Sequence, residues 1–366
     1  MNRLIVNCGD LEWNIQKIRE LADRSRAKVI AVVKANGYGL GLVPYVKFLE
    51  EKGIDFFATS SVEEAEVMRR NGVRGEILVL SSISVGEELE PLLESDVIFT
   101  VGSREAGEVL NRLAGERGIP QRVHLKIDTG FGRYGFLDVK SDDWLQEIKN
   151  WRNLRIEGAF TQFPLSADRN EKHTKKQYER FLSCVEKLRK NDISVKMLHV
   201  CNSAAAVRFP EMHLDAVRIG SAFLGRLAVR HSLELRKVGY LSSMVEETKL
   251  LPPGWNIGYS GSYKTRSETR VAIVPCGHSD GFNVQAKRDM FRPVDKLRYV
   301  VGDVKAFLKR QGIFVTINGQ KCKVAGRVGA TSFVADVTGR DVSPGDEVIL
   351  EVNPLFADSG IERHYI

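Results

Sequence analysis

No two cysteines in this chain stand as CxxC, and the five present (Cys8, Cys184, Cys201, Cys276 and Cys322) are odd in number and widely scattered. That excludes a disulfide frame or a zinc site as the organising device and reads as buried thiols. No metal is expected. No stretch of about 18 uninterrupted apolar residues occurs. The opening residues MNRLIVNCGDLEWN put acids where a signal peptide needs an apolar run. A cytoplasmic protein with no membrane partner is expected. The GxGxxG fingerprint of a dinucleotide fold is missing as well, because GYGLG follows a lysine and has the wrong spacing.

What is present is enough chain for two domains. Domains run to roughly 100–200 residues and barrels to about 250; this chain has 366, 43% of them hydrophobic and 28% charged. The net charge of +7 raises the question of nucleic acid. Lysines and arginines alternate with acids along stretches such as TKKQYERFLSCVEKLRKND, which is the pattern of solvated helix faces, not of a stripe that tracks phosphates. No nucleic-acid partner is expected, and a basic surface favours anionic small molecules.

Up to about residue 235, short apolar runs alternate with stretches of helical spacing. The runs are KVIAVVK, DFFATS, EILVLSS, VIFTV, RVHLKID, IEGAFTQF, VKMLHV and DAVRIG. Eight such runs separated by helices or loops predict parallel βα units, and a closed (β/α)8 TIM-type barrel over residues 1–235 is their natural solution. A doubly wound sheet would use five or six strands. From 236 to 366 the runs shorten and are broken by Gly, Pro and Asn, with Asn318-Gly319 as a hairpin signal. That part predicts a C-terminal, mainly-β domain.

Five segments carry candidate chemistry. In AVVKANGYGLG, a β run ends at Lys34 and breaks into glycines. At the C-terminal end of a barrel strand a lysine faces the active-site mouth, where desolvation lowers its pKa and leaves a nucleophilic amine; a snorkelling surface lysine is the commoner alternative. In VHLKIDTGFGRYGF, Arg133 sits on a Gly-rich loop, and its planar fork suits an oxyanion. In LHVCNSAAAVRFP, Asn202 and Ser203 end a strand and begin a helix that Ser203 can cap. In AVRIGSAFLG, Gly220 and Ser221 offer backbone N–H groups and Gly220 permits close approach. In NIGYSGSY, Tyr259 taken alone is a turn aromatic.

Together, and in this order, the five segments resemble the motifs of the alanine racemases, enzymes built from an N-terminal barrel and a C-terminal β domain. The likeness spans nearly the whole chain. It implies pyridoxal 5'-phosphate as cofactor, held on Lys34 as a Schiff base, with Lys34 and Tyr259 as the two catalytic bases. It implies Tyr38, Ser203, Gly220 and Ser221 around the cofactor phosphate, with Asn202 beside them. Arg218 would face the pyridine nitrogen with His199 behind it. Arg133 would hold the substrate carboxylate, and Lys126 matches a position that is carbamylated in some members; a salt-bridged lysine is the alternative. It also implies a homodimer in which Tyr259 serves the partner's barrel.

Several positions depart from the family pattern. Gln162 replaces a histidine that packs on the cofactor ring, and His278 replaces a tyrosine. Gly329, Ala330 and Thr331 stand where a methionine and a carboxylate are usual; the backbone N–H of Ala330 remains available to a substrate carboxylate, and the lost bulk leaves more room beside the substrate. Tyr365 matches the family's C-terminal phosphate-binding tyrosine by type only. The expected activity is racemisation of a small amino acid, alanine by default, with serine or a bulkier residue next. A decarboxylase on the same scaffold and a noncatalytic pyridoxal-phosphate binder are the rival readings.

Overall fold

The computed structural model describes residues 2–137, 143–286, 293–308 and 312–366. After a first strand β1 (Arg3–Val6), each of the eight apolar runs becomes a strand: β2 (Lys28–Val32), β3 (Phe56–Thr59), β4 (Glu76–Ser82), β5 (Ile98–Val101), β6 (Gln121–Lys126), β7 (Leu154–Phe160), β8 (Met197–His199) and β9 (Ala216–Ile219). They form one parallel sheet in the order β8-β7-β6-β5-β4-β3-β2-β9. The ends meet where Asp215 donates its N–H to Leu198 O at 3.0 Å and Arg218 to Cys201 O at 2.9 Å, giving a nearly closed barrel.

Every residue of β3, β5 and β9 is buried, as parallel strands covered on both faces require. Ile30, Val32, Phe56, Ala58, Leu78, Ile98 and Ala216 pack as one cluster. The helices between the strands follow the 3.6-residue period: Cys8–Asp23 buries Leu11, Ile15, Ile18 and Ala22. Two of them start on a serine cap. Ser61 accepts the N–H of Glu64 and Ser103 that of Ala106, and Gly118 ends the second in the left-handed conformation.

The chain divides into two compact units, Cys8–Val238, and Gly239–Ile366 together with Met1–Asn7. The opening residues therefore belong to the second unit, whereas the expected 1–235 span put them with the barrel. Their strand β1 buries Leu4, Ile5 and Val6 by pairing antiparallel with Tyr240–Met244 and parallel with Glu362–Tyr365. It belongs to a nine-stranded sheet in the second unit. There Asn318 and Gly319, at φ of 49° and 74°, make the two-residue turn between Phe314–Ile317 and Gln320–Ala325, since both central residues of that turn need positive φ. One element of this unit was not expected: a 16-residue helix, Pro293–Leu308.

Among the described residues no helix is long and apolar enough to cross a membrane, and no group of three or more His, Cys, Asp or Glu is placed to hold a metal.

Candidate active site

Lys34 lies just past the end of β2, half-buried, at the start of an unusual turn. Ala35, Asn36, Gly37 and Tyr38 all have φ between 54° and 63°. A left-handed turn of L-residues is disfavoured by roughly 1–2 kcal/mol per residue, so the surroundings must impose it. Glu64 accepts the N–H of Asn36 at 2.7 Å and the hydroxyl of Thr59. The Asn36 side chain accepts from Leu42 N–H at 2.8 Å. Gly37 supplies the one position with no Cβ, and a Cβ there would press on the Tyr45 ring. The turn packs Tyr38 against the barrel cluster with its hydroxyl beside Gly220, and burial and the nearby Arg133 hold the Lys34 amine below its usual pKa against the opposing pull of Glu64.

The loop after β6 is organised by Asp128. Its carboxylate accepts the N–H groups of Gly130, Phe131, Gly132 and Arg133 at 2.7–3.1 Å. Burial opposes the charge, but these four donors prevail and lower the Asp128 pKa. Arg133 is thereby presented from a fixed backbone, its guanidinium 4.4 Å above the Phe131 ring. Lys126, at the end of β6, is buried and has no ion-pair partner among the described residues. Its ammonium stands 4.2 Å from the Phe160 ring centroid. Burial and then the charges of Arg218 and Arg133 push its pKa well down.

Arg218, on β9, is buried without a carboxylate. It donates to His199 Nδ1 at 2.8 Å, His199 O at 2.7 Å, Thr161 O at 2.7 Å and Gln162 Oε1 at 3.0 Å. Burial brings its pKa down to about 10, so it stays charged near neutral pH. His199 Nε2 in turn lies 2.9 Å from His124 Nδ1. Gln162 thus does not lie free over a ring; its amide oxygen is tied to Arg218.

Asn202, not Ser203, caps the helix Ser203–Arg208. Its backbone is extended and its side-chain oxygen accepts from Ala205 N–H at 3.0 Å, which moves Ser203 into the first turn. The Ser203 hydroxyl instead accepts Gly220 N–H at 3.1 Å. That N–H is engaged within the protein, so the contribution of Gly220 is its missing side chain: a Cβ there would overlap the Tyr38 hydroxyl.

These residues line one cavity of about 590 Å³ at the C-terminal ends of the strands. Lys34, Lys126, Arg133 and Arg218 border it, and among the described residues no Asp or Glu does. Tyr38, Gln162, Asn202, Ser203, Gly220 and Ser221 complete the polar wall, with Leu80 and Phe160 among the apolar lining. His199 lies behind the wall. Glu64, Asp128 and His124, which hold the site in shape, were not singled out from the sequence; Asp128 and His124 lie inside a motif that was, whereas Glu64 carries no signal of its own.

In the second unit Tyr259 is 76% exposed and borders a hollow of about 420 Å³ with Gly329, Ala330 and Thr331. Gly258, at φ 78°, starts the turn that projects it. The loop behind is held by its backbone: Gly329 O accepts His278 N–H at 3.0 Å and Ala330 O accepts Ser279 N–H at 2.9 Å. The His278 ring Nδ1 lies 3.1 Å from Phe282 O. Tyr365 lies in this unit too, in the strand Glu362–Tyr365, opposite Val6.

A family model described as the alanine racemase N-terminal domain matches residues 6–227, and one described as the C-terminal domain matches 238–355. An alanine racemase of Halothermothrix orenii is 31% identical over 349 residues, 94% of this chain and 86% of that one. One from Methanococcus maripaludis is 30% identical over 364 residues, covering 98% and 89%. Among solved structures, alanine racemase from Clostridium difficile 630 superposes with a TM-score of 0.82 at 28% identity, covering 99% of this chain and 88% of that one. That from Streptomyces lavendulae reaches 0.85 at 24% identity over 100% and 97%, a likeness of fold. The likeness to these relatives runs through both units and makes the chain an isomerase that acts on amino acids, a racemase. The chain belongs to the alanine racemase family.

Proposed function

We propose that this enzyme racemises a small amino acid, alanine by default, with pyridoxal 5'-phosphate bound to Lys34. The observation that carries the reading is a half-buried lysine of lowered pKa at the mouth of a cavity that Lys126, Arg133 and Arg218 also border, with no acid among the described lining residues. Such a donor set fits an anionic cofactor with a reactive aldehyde. Because Gly220 lacks a side chain, the Tyr38 hydroxyl can sit against it, and the cavity wall of Tyr38, Ser203 and Ser221 there fits a phosphate. Bound there, the cofactor supplies an electron sink that makes the α-proton of an amino acid labile.

The protein groups do the rest. Lys34 Nζ removes or returns the α-proton on one face, and Tyr259 Oη serves the opposite face, because inversion needs two bases. In a homodimer, Tyr259 of one chain serves the barrel of the other. Arg133 binds the substrate carboxylate, and the Ala330 backbone N–H assists it. Arg218, always charged and bonded to neutral acceptors, would discourage a proton on a pyridine nitrogen held against it, which would favour reversible proton transfer over decarboxylation. The small residues Gly329, Ala330 and Thr331 widen the room for a side chain, which makes serine the second substrate to try.

The test is to load the purified protein with pyridoxal phosphate and offer it a panel of L-amino acids in deuterated water. A yellow protein that exchanges and inverts Cα–H of alanine or serine, and loses both colour and exchange in Lys34→Ala, is the expected result. Colour that survives Lys34→Ala, or colour without exchange on any amino acid, overturns the reading.

A further inference from the structure

The helix Pro293–Leu308 of the second unit presents an apolar side that none of the described residues buries. None of its described residues 293–305 is buried. Val294, Leu297, Val300, Val301 and Val304 are 55%, 64%, 58%, 44% and 53% exposed. They recur at three- and four-residue spacing, so at about 100° per residue they share one face. Five large apolar side chains on one exposed helical face are the mark of a docking surface.

The charges around that face identify its partner. Lys296 and Lys305 lie about 90° to either side of its centre and Arg298 slightly further round, where it pairs with Asp295 at 3.6 Å; Asp295 lies opposite the face and Asp303 beyond Lys296. Cations at both rims of an apolar face are placed to keep their heads in a polar layer while their stems lie along an apolar one. Over residues 287–310 the sequence holds eight Lys and Arg against three Asp, a net +5 within a chain whose total is +7. Pairing this segment with its copy would set two stretches of net +5 against each other, which like-charge repulsion disfavours. At about 1.5 Å per residue the helix is some 24 Å long and cannot cross a bilayer.

We propose that Pro293–Leu308 lies flat on an anionic lipid surface, its valines and Leu297 in the acyl boundary and its cations among the headgroups. The sequence expectation of no membrane partner rested on the lack of a spanning run; a helix lying on the surface needs none. The inference does not depend on the racemase reading.

The experiment is co-sedimentation of the full-length protein with vesicles of phosphatidylglycerol and phosphatidylcholine, against vesicles of phosphatidylcholine alone. Binding to the anionic vesicles is expected to be at least about tenfold stronger at low salt, and to fall as salt rises. Leu297→Asp and Val301→Asp, on an exposed face, should abolish it, and Lys296→Glu with Lys305→Glu should weaken it about tenfold or more, with activity in solution unchanged. Absence of binding to anionic vesicles overturns the proposal, as does binding that Leu297→Asp leaves intact. If Leu297→Asp instead lowers the mass of the protein in solution and no vesicle binding is seen, the face is covered by a second copy and the lipid proposal fails.

Discussion

Arg218 donates to both the ring Nδ1 and the backbone carbonyl of His199, at 2.8 and 2.7 Å. A guanidinium has donors only, so Nδ1 of that ring must accept, and the ring proton is assigned to Nε2. Nε2–H then donates to His124 Nδ1. Three residues on strands β6, β8 and β9 thus form a chain of fixed polarity that starts at the buried cation and keeps both imidazoles neutral.

That neutrality predicts a pH dependence of stability. Burial, and then the charges of Arg122 and Arg218, push His124 down to about 3, and His199 also lies well below its ordinary value. Between the unfolded value of about 6.5 and the depressed folded ones, the unfolded chain takes up protons that the folded rings do not. Stability therefore falls as the pH drops through that window, by at most about 1.4 kcal/mol per pH unit for each ring. Urea denaturation at pH 7 and pH 5 should show the loss, and His124→Gln, which cannot take up the proton, should flatten it. An equal slope in the variant rules the assignment out.

Ala35 is exposed and sits at φ 56°. Replacement by glycine in regular structure usually destabilises, but here it relieves a left-handed residue. Ala35→Gly is expected to raise stability by up to about 1 kcal/mol, while Ala35→Val lowers it. Thermal melts of the three proteins decide the order.

An amide at residue 128 offers one acceptor oxygen where the carboxylate offers two, which between them accept four backbone N–H groups. Asp128→Asn should lower stability by about 1.5–3 kcal/mol and loosen the loop carrying Arg133. If Arg133 binds the substrate carboxylate, KM rises by about tenfold with a smaller change in kcat. A fall in kcat at constant KM would place Arg133 elsewhere.

At Gly220 the prediction concerns the cofactor. Gly220→Ala drives a methyl into the Tyr38 hydroxyl, so Tyr38 must leave the wall. Affinity for pyridoxal phosphate, followed by absorbance in dialysis, should fall at least about tenfold, by more than in Tyr38→Phe, which loses a single hydrogen bond. Unchanged affinity would remove the phosphate from this corner.

The eight barrel strands were legible because a strand covered on both faces must be apolar throughout, and Gly or polar residues punctuate it. The Asn318-Gly319 hairpin was legible because its turn demands positive φ twice. Strand β1 was not: four residues, RLIV, carry no period, and their partners lie at the far end of the sequence. The helix Pro293–Leu308 had the right spacing, but its valines, surrounded by short β runs, pointed the other way. At Asn202-Ser203 two good capping residues are adjacent, and only the backbone decides between them. The bond from Gln162 to Arg218 spans 56 residues; neither residue announces the other, and what looked like a lost stacking partner is a hydrogen-bond acceptor. Nor does sequence show that Glu64 braces the turn after Lys34.

Strand β1 also sets an order of events. It is made before the barrel, yet it lies between Tyr240–Met244 and Glu362–Tyr365, both synthesised after the barrel. As the chain leaves the ribosome, the barrel has all its strands while RLIV still waits, unpaired and apolar, for segments not yet made. A fragment beginning at Gly239 would lack an inner strand of its sheet; one that carries RLIV at its far end, joined by a short linker after residue 366, would have it back.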